Sequence, residues 1–194
     1  MTLLTLVRHG QTDWNLDRRI QGTTDIPLND TGRTDARTAA AALAGVDYDA
    51  VYASPLVRAH ETARIIADEL GLAAPLTTRG MREREFGEGE GLKVEEYLER
   101  WGDWTTPVPG AESLEQVRER ALDSLERIAR ASRRRSAPRA ESIIVVSHGG
   151  VLRALLMHVS GGTLPRAGDV LRNGSVHRFV AERGTLRLLE SISV

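Results

Sequence analysis

The sequence predicts an α/β protein of three layers, α/β/α, around a mostly parallel central sheet. Three observations carry that expectation. Short apolar runs at residues 3–7, 50–53 and 143–146 have the length and branched composition of buried strands. Each gives out at a glycine or a Ser-Pro step, and long stretches of helical spacing lie between them. Strands that alternate with helices pair in parallel, and the helices then cover both faces.

Taken in order, residues 3–7 form the first strand and Gly10 breaks it. Residues 11–30 are polar and without clear period, so they read as a loop of the kind that carries sites. Thr31-Gly32-Arg33 leads into an alanine-rich helix over 34–44, closed by Gly45 as a left-handed cap. Residues 50–53 form the second strand. Ser54 as cap and Pro55 in the first turn then open a helix whose apolar positions Leu56, Ala59, Ala63, Ile66, Ala67 and Leu70 recur at helical spacing up to Gly71. Residues 79–110 form an irregular capping region containing Trp101 and Trp104, which either line a substrate mouth or cover the core. A long amphipathic helix follows over 112–131, with Leu114, Val117, Ala121, Leu125 and Ile128 on one face. Arg133-Arg134-Arg135 reads as a solvated connector rather than a nucleic-acid patch. Ile143-Ile144-Val145-Val146 is the strongest strand signal and runs into Ser147-His148-Gly149-Gly150, after which residues 151–159 resume helical spacing. Residues 175–180 and 185–192 close the sheet as a hairpin around Arg183-Gly184.

At 194 residues the chain suits one domain, 1–194. Its 41% hydrophobic and 27% charged residues and net charge of −1 give no global bias toward nucleic acid or membranes, so neither is expected as a partner. No cysteine is present, which excludes disulfides, thiolate zinc sites and a cysteine nucleophile. No basic region precedes the first apolar run and Arg8 interrupts it, so neither a signal peptide nor a span is expected and the cytoplasm is the expected compartment. His60, His158 and His177 read as structural or exposed, and none stands at metal-ligand spacing from a carboxylate.

The chemistry is local. In an open parallel sheet, ligands bind beyond the carboxyl ends of the strands. Arg8-His9, the segment holding Ser54 and Arg58, and Ser147-His148 all stand at such ends. The topology therefore gathers two histidines and two arginines from opposite ends of the chain. A histidine beside an arginine that cannot lose its charge and a glycine that admits close approach is suited to an anion, with phosphate the obvious candidate. Surplus positive charge at strand ends is costly unless an anion compensates it.

The ordered set Leu6-Val7-Arg8-His9-Gly10, Asn15, Gln21-Gly22, Asp25-Ile26-Pro27-Leu28, Ser54-Pro55-Leu56-Val57-Arg58-Ala59, Thr62-Ala63, Glu83 before Phe86-Gly87, Glu90-Gly91 and Ser147-His148-Gly149-Gly150 resembles the histidine phosphatase superfamily, which includes cofactor-dependent phosphoglycerate mutase. The resemblance spans almost the whole chain and implies a phosphoglycerate mutase-like fold. It implies that His9 takes up the phosphoryl group, that Arg8, Arg58 and His148 bind its oxygens, that Asn15 helps hold it, and that Glu83 protonates the leaving group. Gln21, Gly22, Thr23 and Gly149 are further expected phosphate-binding or substrate-binding residues, and Gln11 and Thr24 further pocket residues. It implies no metal and no cofactor.

Physical chemistry favours these roles. Phosphoryl transfer needs in-line positioning and charge stabilisation on the equatorial oxygens, which two guanidiniums supply. Their field also favours a neutral imidazole at His9, whose other ring nitrogen is expected to be held by a backbone carbonyl. A phosphate dianion beside Glu83 favours its protonated form, ready to donate, and its carboxylate can later activate water.

The expected reaction is hydrolysis of a small phosphorylated metabolite through phosphohistidine, a phosphomonoesterase of the histidine acid phosphatase type. The alternative is a cofactor-dependent phosphoglycerate mutase. Family mutases carry a longer insertion between the catalytic glutamate and the second histidine, whereas Glu83 and His148 stand only 65 positions apart. Pro109-Gly110-Ala111 also lacks the second glycine of the family pattern. A second alternative is a non-catalytic binder of phosphorylated ligands, ranked last because each residue needed for turnover is present. A homodimer is a permitted assembly.

Overall fold

The computed structural model describes residues 1–166, 168–182 and 184–192. Among these residues six strands form one sheet: β1 (Thr2–Arg8), β2 (Ala50–Ala53), β3 (Leu76–Thr77), β4 (Ser142–Ser147), β5 (Val176–Glu182) and β6 (Thr185–Ile192). Their spatial order is β3-β2-β4-β1-β5-β6. The pairs β1 with β4, β2 with β4 and β2 with β3 are parallel, and β5 and β6 add an antiparallel edge. The expected three-layer fold with its mostly parallel sheet and terminal hairpin is thus present. Of the expected turn Arg183-Gly184, Arg183 lies outside the described residues.

The apolar strands are buried on both faces because successive side chains alternate between two cores. Leu4, Leu6, Ile143, Val145 and Phe179 point into one core, with α5 (Leu114–Ser136) and α6 (Gly149–Val159). Val7, Val51, Ala53, Ile144 and Val146 point into the other, with α2 (Asp30–Leu43) and α3 (Val57–Leu70). A third, smaller cluster gathers Ile20, Phe86, Tyr97 and Val108 outside the sheet. Trp101 and Trp104 pack there, Trp104 stacked on the Tyr97 ring at 5.0 Å, so both serve as cover for this cluster.

Several elements differ from the sequence reading. The loop 11–30 holds a short helix α1 (Asp13–Leu16), closed at its start by a reciprocal Thr12 and Asn15 capping box. Helix α2 begins earlier than expected because the Asn29 side chain accepts the Gly32 N–H, while Gly45 has the expected positive φ of 86°. Ser54 is not the cap of α3, whose N-cap is Leu56, and Gly71 is left-handed at its end as expected. The region 79–110 contains an eight-residue helix α4 (Val94–Trp101) and two 3₁₀ turns. Helix α5 runs on through Arg133, Arg134 and Arg135, which are therefore its last turn and not a connector; Arg133 pairs with Glu126 and Arg135 with Glu141. The two-residue β3 carries too little pattern to be read. Among the described residues, no helix is long and apolar enough to cross a membrane.

Register fixes where the site forms. Arg8 lies level with Ser147, and Ala53 with Val146, so the three central strands end together. The next residue on each is His9, His148 and Ser54.

Candidate active site

The His9 ring is 2% exposed, and its Nδ1 lies 2.7 Å from the Gly10 carbonyl oxygen. A carbonyl only accepts, so Nδ1 carries the hydrogen and Nε2 keeps its lone pair. This is the backbone contact the sequence reading anticipated. Burial is the chief reason that His9 titrates well below an ordinary histidine, followed by the charges of Arg58 and Arg8, with the Gly10 bond opposing. The sequence reading named the guanidiniums and omitted the larger cause. Gly10 itself is needed for a different approach from the one expected: a Cβ there would stand 2.1 Å from the Gly32 carbonyl oxygen of α2.

The His148 ring is fully buried, its centroid 5.1 Å from that of His9. Its Nε2 lies 2.7 Å from Ser54 Oγ, and its Nδ1 has no partner among the described residues. Burial, then Arg58, holds it too well below the ordinary value. Ser54, read from sequence as a helix cap, instead orients the second histidine and accepts the Leu56 N–H at 3.3 Å.

Arg58 is fully buried near the start of α3. Its Nη1 and Nη2 donate to the carbonyls of Thr24 and Gly22 at 2.9 and 2.7 Å, which leaves Nε without a partner. Arg8 donates through Nη1 to the Leu171 carbonyl, and its Nε is likewise buried and unpartnered. Burial lowers both arginines below their ordinary value, and the Glu83 charge opposes that in each. Thr62, one turn along from Arg58, ties the pieces together: its hydroxyl accepts the Gly10 N–H at 3.0 Å and donates to the Arg58 carbonyl at 2.7 Å.

Glu83 is 8% exposed, its Oε1 accepting the Arg84 N–H at 2.8 Å and its Oε2 the Gly150 N–H at 3.2 Å. Gly149 packs its Cα face on the Arg8 guanidinium, where a Cβ would stand 3.5 Å from Cζ. Asn15 Oδ1 accepts from Thr12 and from Asn173 Nδ2, the latter also donating to the His9 carbonyl at 2.9 Å.

The remaining expected contacts are placed differently. Gln21 Oε1 accepts from the Thr12 hydroxyl, Gly22 supplies a carbonyl to Arg58, and Thr23 gives its N–H and hydroxyl to Glu90. Thr24 likewise bonds Glu90 and Gln11 accepts from Asn29, so these side chains shape the site's frame. His177 stands apart between Ser175 and Ser191, pushed by burial down to about 4. Among the described residues, no group of three or more His, Asp or Glu side chains is gathered to hold a metal ion.

Five buried side-chain nitrogen or oxygen atoms among the described residues lack a hydrogen-bond partner, and three of them, Arg8 Nε, Arg58 Nε and His148 Nδ1, belong to this one cluster. Buried polar groups are otherwise almost always paired, so their convergence marks a place for an acceptor-rich ligand. The pattern of the histidine phosphatase superfamily (branch 1) matches residues 4–192. The chain belongs to the histidine phosphatase superfamily. Within it, the chain is 38% identical to the uncharacterized phosphatase PhoE of Bacillus subtilis (strain 168), over 84% of this chain and 79% of that protein. It is 36% identical to a 2,3-bisphosphoglycerate-dependent phosphoglycerate mutase of Rhizobium johnstonii, over 79% of this chain and 77% of the relative. A mutant phosphoserine phosphatase from Entamoeba histolytica, solved with phosphoserine, superposes with a TM-score of 0.80 at 28% identity, over 98% of this chain and 96% of that one. The chain is thus a superfamily enzyme, phosphatase or mutase.

Sequence reasoning missed the roles of Ser54, Thr62, Glu90 and Asn173. Ser54 and Thr62 stood inside quoted motifs and could have been found by asking what holds His148 and Arg58. Asn173, 164 residues from His9, left no local signal.

Proposed function

We propose that the protein is a phosphomonoester hydrolase acting on a small phosphorylated metabolite through a phosphohistidine intermediate. One observation carries the reading: a neutral imidazole at His9, 5.1 Å from the His148 ring and under the charges of Arg8 and Arg58, shares its cluster with unpartnered buried nitrogens on all three. Phosphoryl oxygens satisfy those donors, and the two guanidiniums supply the charge that the transition state needs. With the Ser54 hydroxyl donating to His148 Nε2, Nδ1 carries a hydrogen toward the same oxygens.

The lone pair of His9 Nε2 attacks phosphorus, the P–O bond to the leaving group breaks, and protonated Glu83 gives that oxygen its proton. The Nδ1–H bond to Gly10 stabilises the positive imidazole of the phosphohistidine. Water then attacks phosphorus as the Glu83 carboxylate takes its proton, the P–N bond breaks, and the electron pair returns to Nε2. Inorganic phosphate leaves.

The kinship with phosphoglycerate mutases keeps a second reading in view, in which the phosphoryl group returns to an acceptor alcohol instead of water. The short path between Glu83 and His148 favours hydrolysis, since it leaves less chain to exclude water. Purified protein should hydrolyse an aryl phosphate in the presence of EDTA. Loss of activity to the chelator would remove the metal-free mechanism, and 3-phosphoglycerate turnover primed by 2,3-bisphosphoglycerate and exceeding hydrolysis would replace the hydrolase with the mutase.

A further inference from the structure

The segment that holds Arg58 is itself held by a carboxylate to which the reaction assigns no task. Glu90 follows the second 3₁₀ turn, and its two oxygens collect four donors. Oε1 accepts the Thr23 N–H at 3.0 Å, the Thr23 hydroxyl at 3.2 Å and the Phe86 N–H at 3.3 Å, and Oε2 accepts the Thr24 hydroxyl at 3.0 Å. The residues so gripped flank and include the two carbonyls, Gly22 and Thr24, that take both Nη groups of Arg58. Gly22 is fitted to this carboxylate: its φ is 51°, and a Cβ there would stand 2.1 Å from Glu90 Oε1. The Glu90 charge also reaches Arg58, which it helps keep protonated. On the other side, the Phe86 N–H joins the same carboxylate to the segment that carries Glu83.

We infer that Glu90 is a positioning residue for phosphate recognition, fixing through Thr23 and Thr24 the carbonyl pair that aims Arg58 Nε at the phosphoryl group. The inference rests on the phosphohydrolase reading given above. A guanidinium with both Nη groups tied to carbonyls has one orientation, and its Nε then needs no reordering when the anion arrives. Without Glu90, the 22–24 segment loses three acceptor contacts and Arg58 regains its freedom while remaining chemically intact.

The test is inorganic phosphate binding by calorimetry, alongside aryl phosphate hydrolysis, in E90A, E90Q, R58A and the double variant E90A/R58A. E90A should weaken phosphate binding by about tenfold, in the range of one lost charge-assisted contact. E90Q should recover most of that loss, because its amide oxygen can replace Oε1 and its NH₂ can donate to the Thr24 hydroxyl. In the R58A background E90A should add no more than about twofold, since coupled residues are not additive. Penalties that multiply in the double variant, or an E90A protein that binds phosphate as the unaltered protein does, would overturn the inference. If E90A does not fold, Thr24→Val in the presence and absence of R58A carries the same test with the same two outcomes. Unaltered protein that hydrolyses no phosphomonoester would instead sink the reading beneath it, whereas an active protein with additive penalties removes only the role of Glu90.

Discussion

Two pairs of arginines in this molecule, each with one buried and one half-buried member, differ in bonding. Arg120, on α5, is saturated: Nε and Nη2 meet the Glu112 carboxylate at 2.8 Å each, and its Nη groups reach the carbonyls of Gly80, Arg82 and Glu83 at 2.7 to 3.0 Å. Arg84 similarly gives Nε and Nη1 to the carbonyls of Glu112 and Trp104 and lies over the Phe86 ring at 5.0 Å. Arg8 and Arg58 each keep a buried Nε with nothing to bond among the described residues. The saturated pair stabilises the fold and steers the 80–85 segment. The unsaturated pair is the proposed binding site, because a donor left open in a low-dielectric interior gains most when an anion arrives.

Removing the group at the centre of the unsaturated set should have the largest effect. His9→Ala should lower kcat by at least about 10³-fold in an aryl phosphate assay while leaving phosphate binding measurable, as expected when a nucleophile is lost but its anion cradle remains. An inactive unaltered protein that still binds phosphate would favour the non-catalytic binder.

Arg58→Ala and Arg120→Ala separate the two sets. The first should reduce kcat/KM by about 10² to 10³-fold, with the smaller loss of melting temperature, since the charge removed is incompletely paired. The second should destabilise the protein by about 2–3 kcal/mol, because Glu112 loses its two-point partner and keeps only Arg82 and the Glu85 N–H, and its effect on rate should be the smaller of the two. Burial alone pushes Glu112 up, but the Arg120 bonds bring it below the ordinary carboxylate value, so that lost stability is the charged form's. Equal effects of both substitutions on rate and melting would erase the distinction.

Inorganic phosphate should raise the melting temperature of the unaltered protein, with about 2.7 kcal/mol of stabilisation at a hundredfold excess over Kd. Arg58→Ala should lose most of that increment and Arg120→Ala should keep it, as read by differential scanning fluorimetry.

The last effect is on pH. His9 and His148 titrate well below the ordinary histidine value of 6.5 and His177 at about 4, all first through burial. The unfolded chain therefore binds more protons than the folded one below about pH 6.5, so stability falls as pH drops from there toward about 4, by at most ~1.4 kcal/mol per pH unit per histidine. His177→Asn should flatten part of that slope without altering the rate. A stability that rises on acidification through this window would contradict the burial argument.

The same contrast explains what could be read from sequence. The two-sided strands were legible because Ile143-Ile144-Val145-Val146 is apolar at each position, and the site because three motifs ended such strands. His9, His148, Arg8 and Arg58 converge as their positions at strand ends require, through the level registers of Arg8 with Ser147 and Ala53 with Val146. Contacts made between loops were not legible. Gln21, Thr23 and Gly22 were expected at the phosphate, yet their described bonds go to Thr12, Glu90 and Arg58. A polar residue beside a motif does not announce whether it faces the ligand or the residue that does. The start of α2 and the end of α5 slipped for a related reason, since Asn29 caps through a hydrogen bond and an arginine run is as compatible with a last helical turn as with a linker.

In the proposed reaction His9 is the phosphoryl-carrying group of a two-step hydrolysis. The most direct measurement of that role is an alkaline quench of the protein during turnover of a labelled phosphomonoester, followed by peptide mapping of the bound label. An acid-labile, alkali-stable phosphoryl group is expected on the peptide containing His9 and absent from His9→Ala. Steady hydrolysis by the unaltered protein with no label on that peptide, under a quench shown to preserve phosphohistidine, would contradict it.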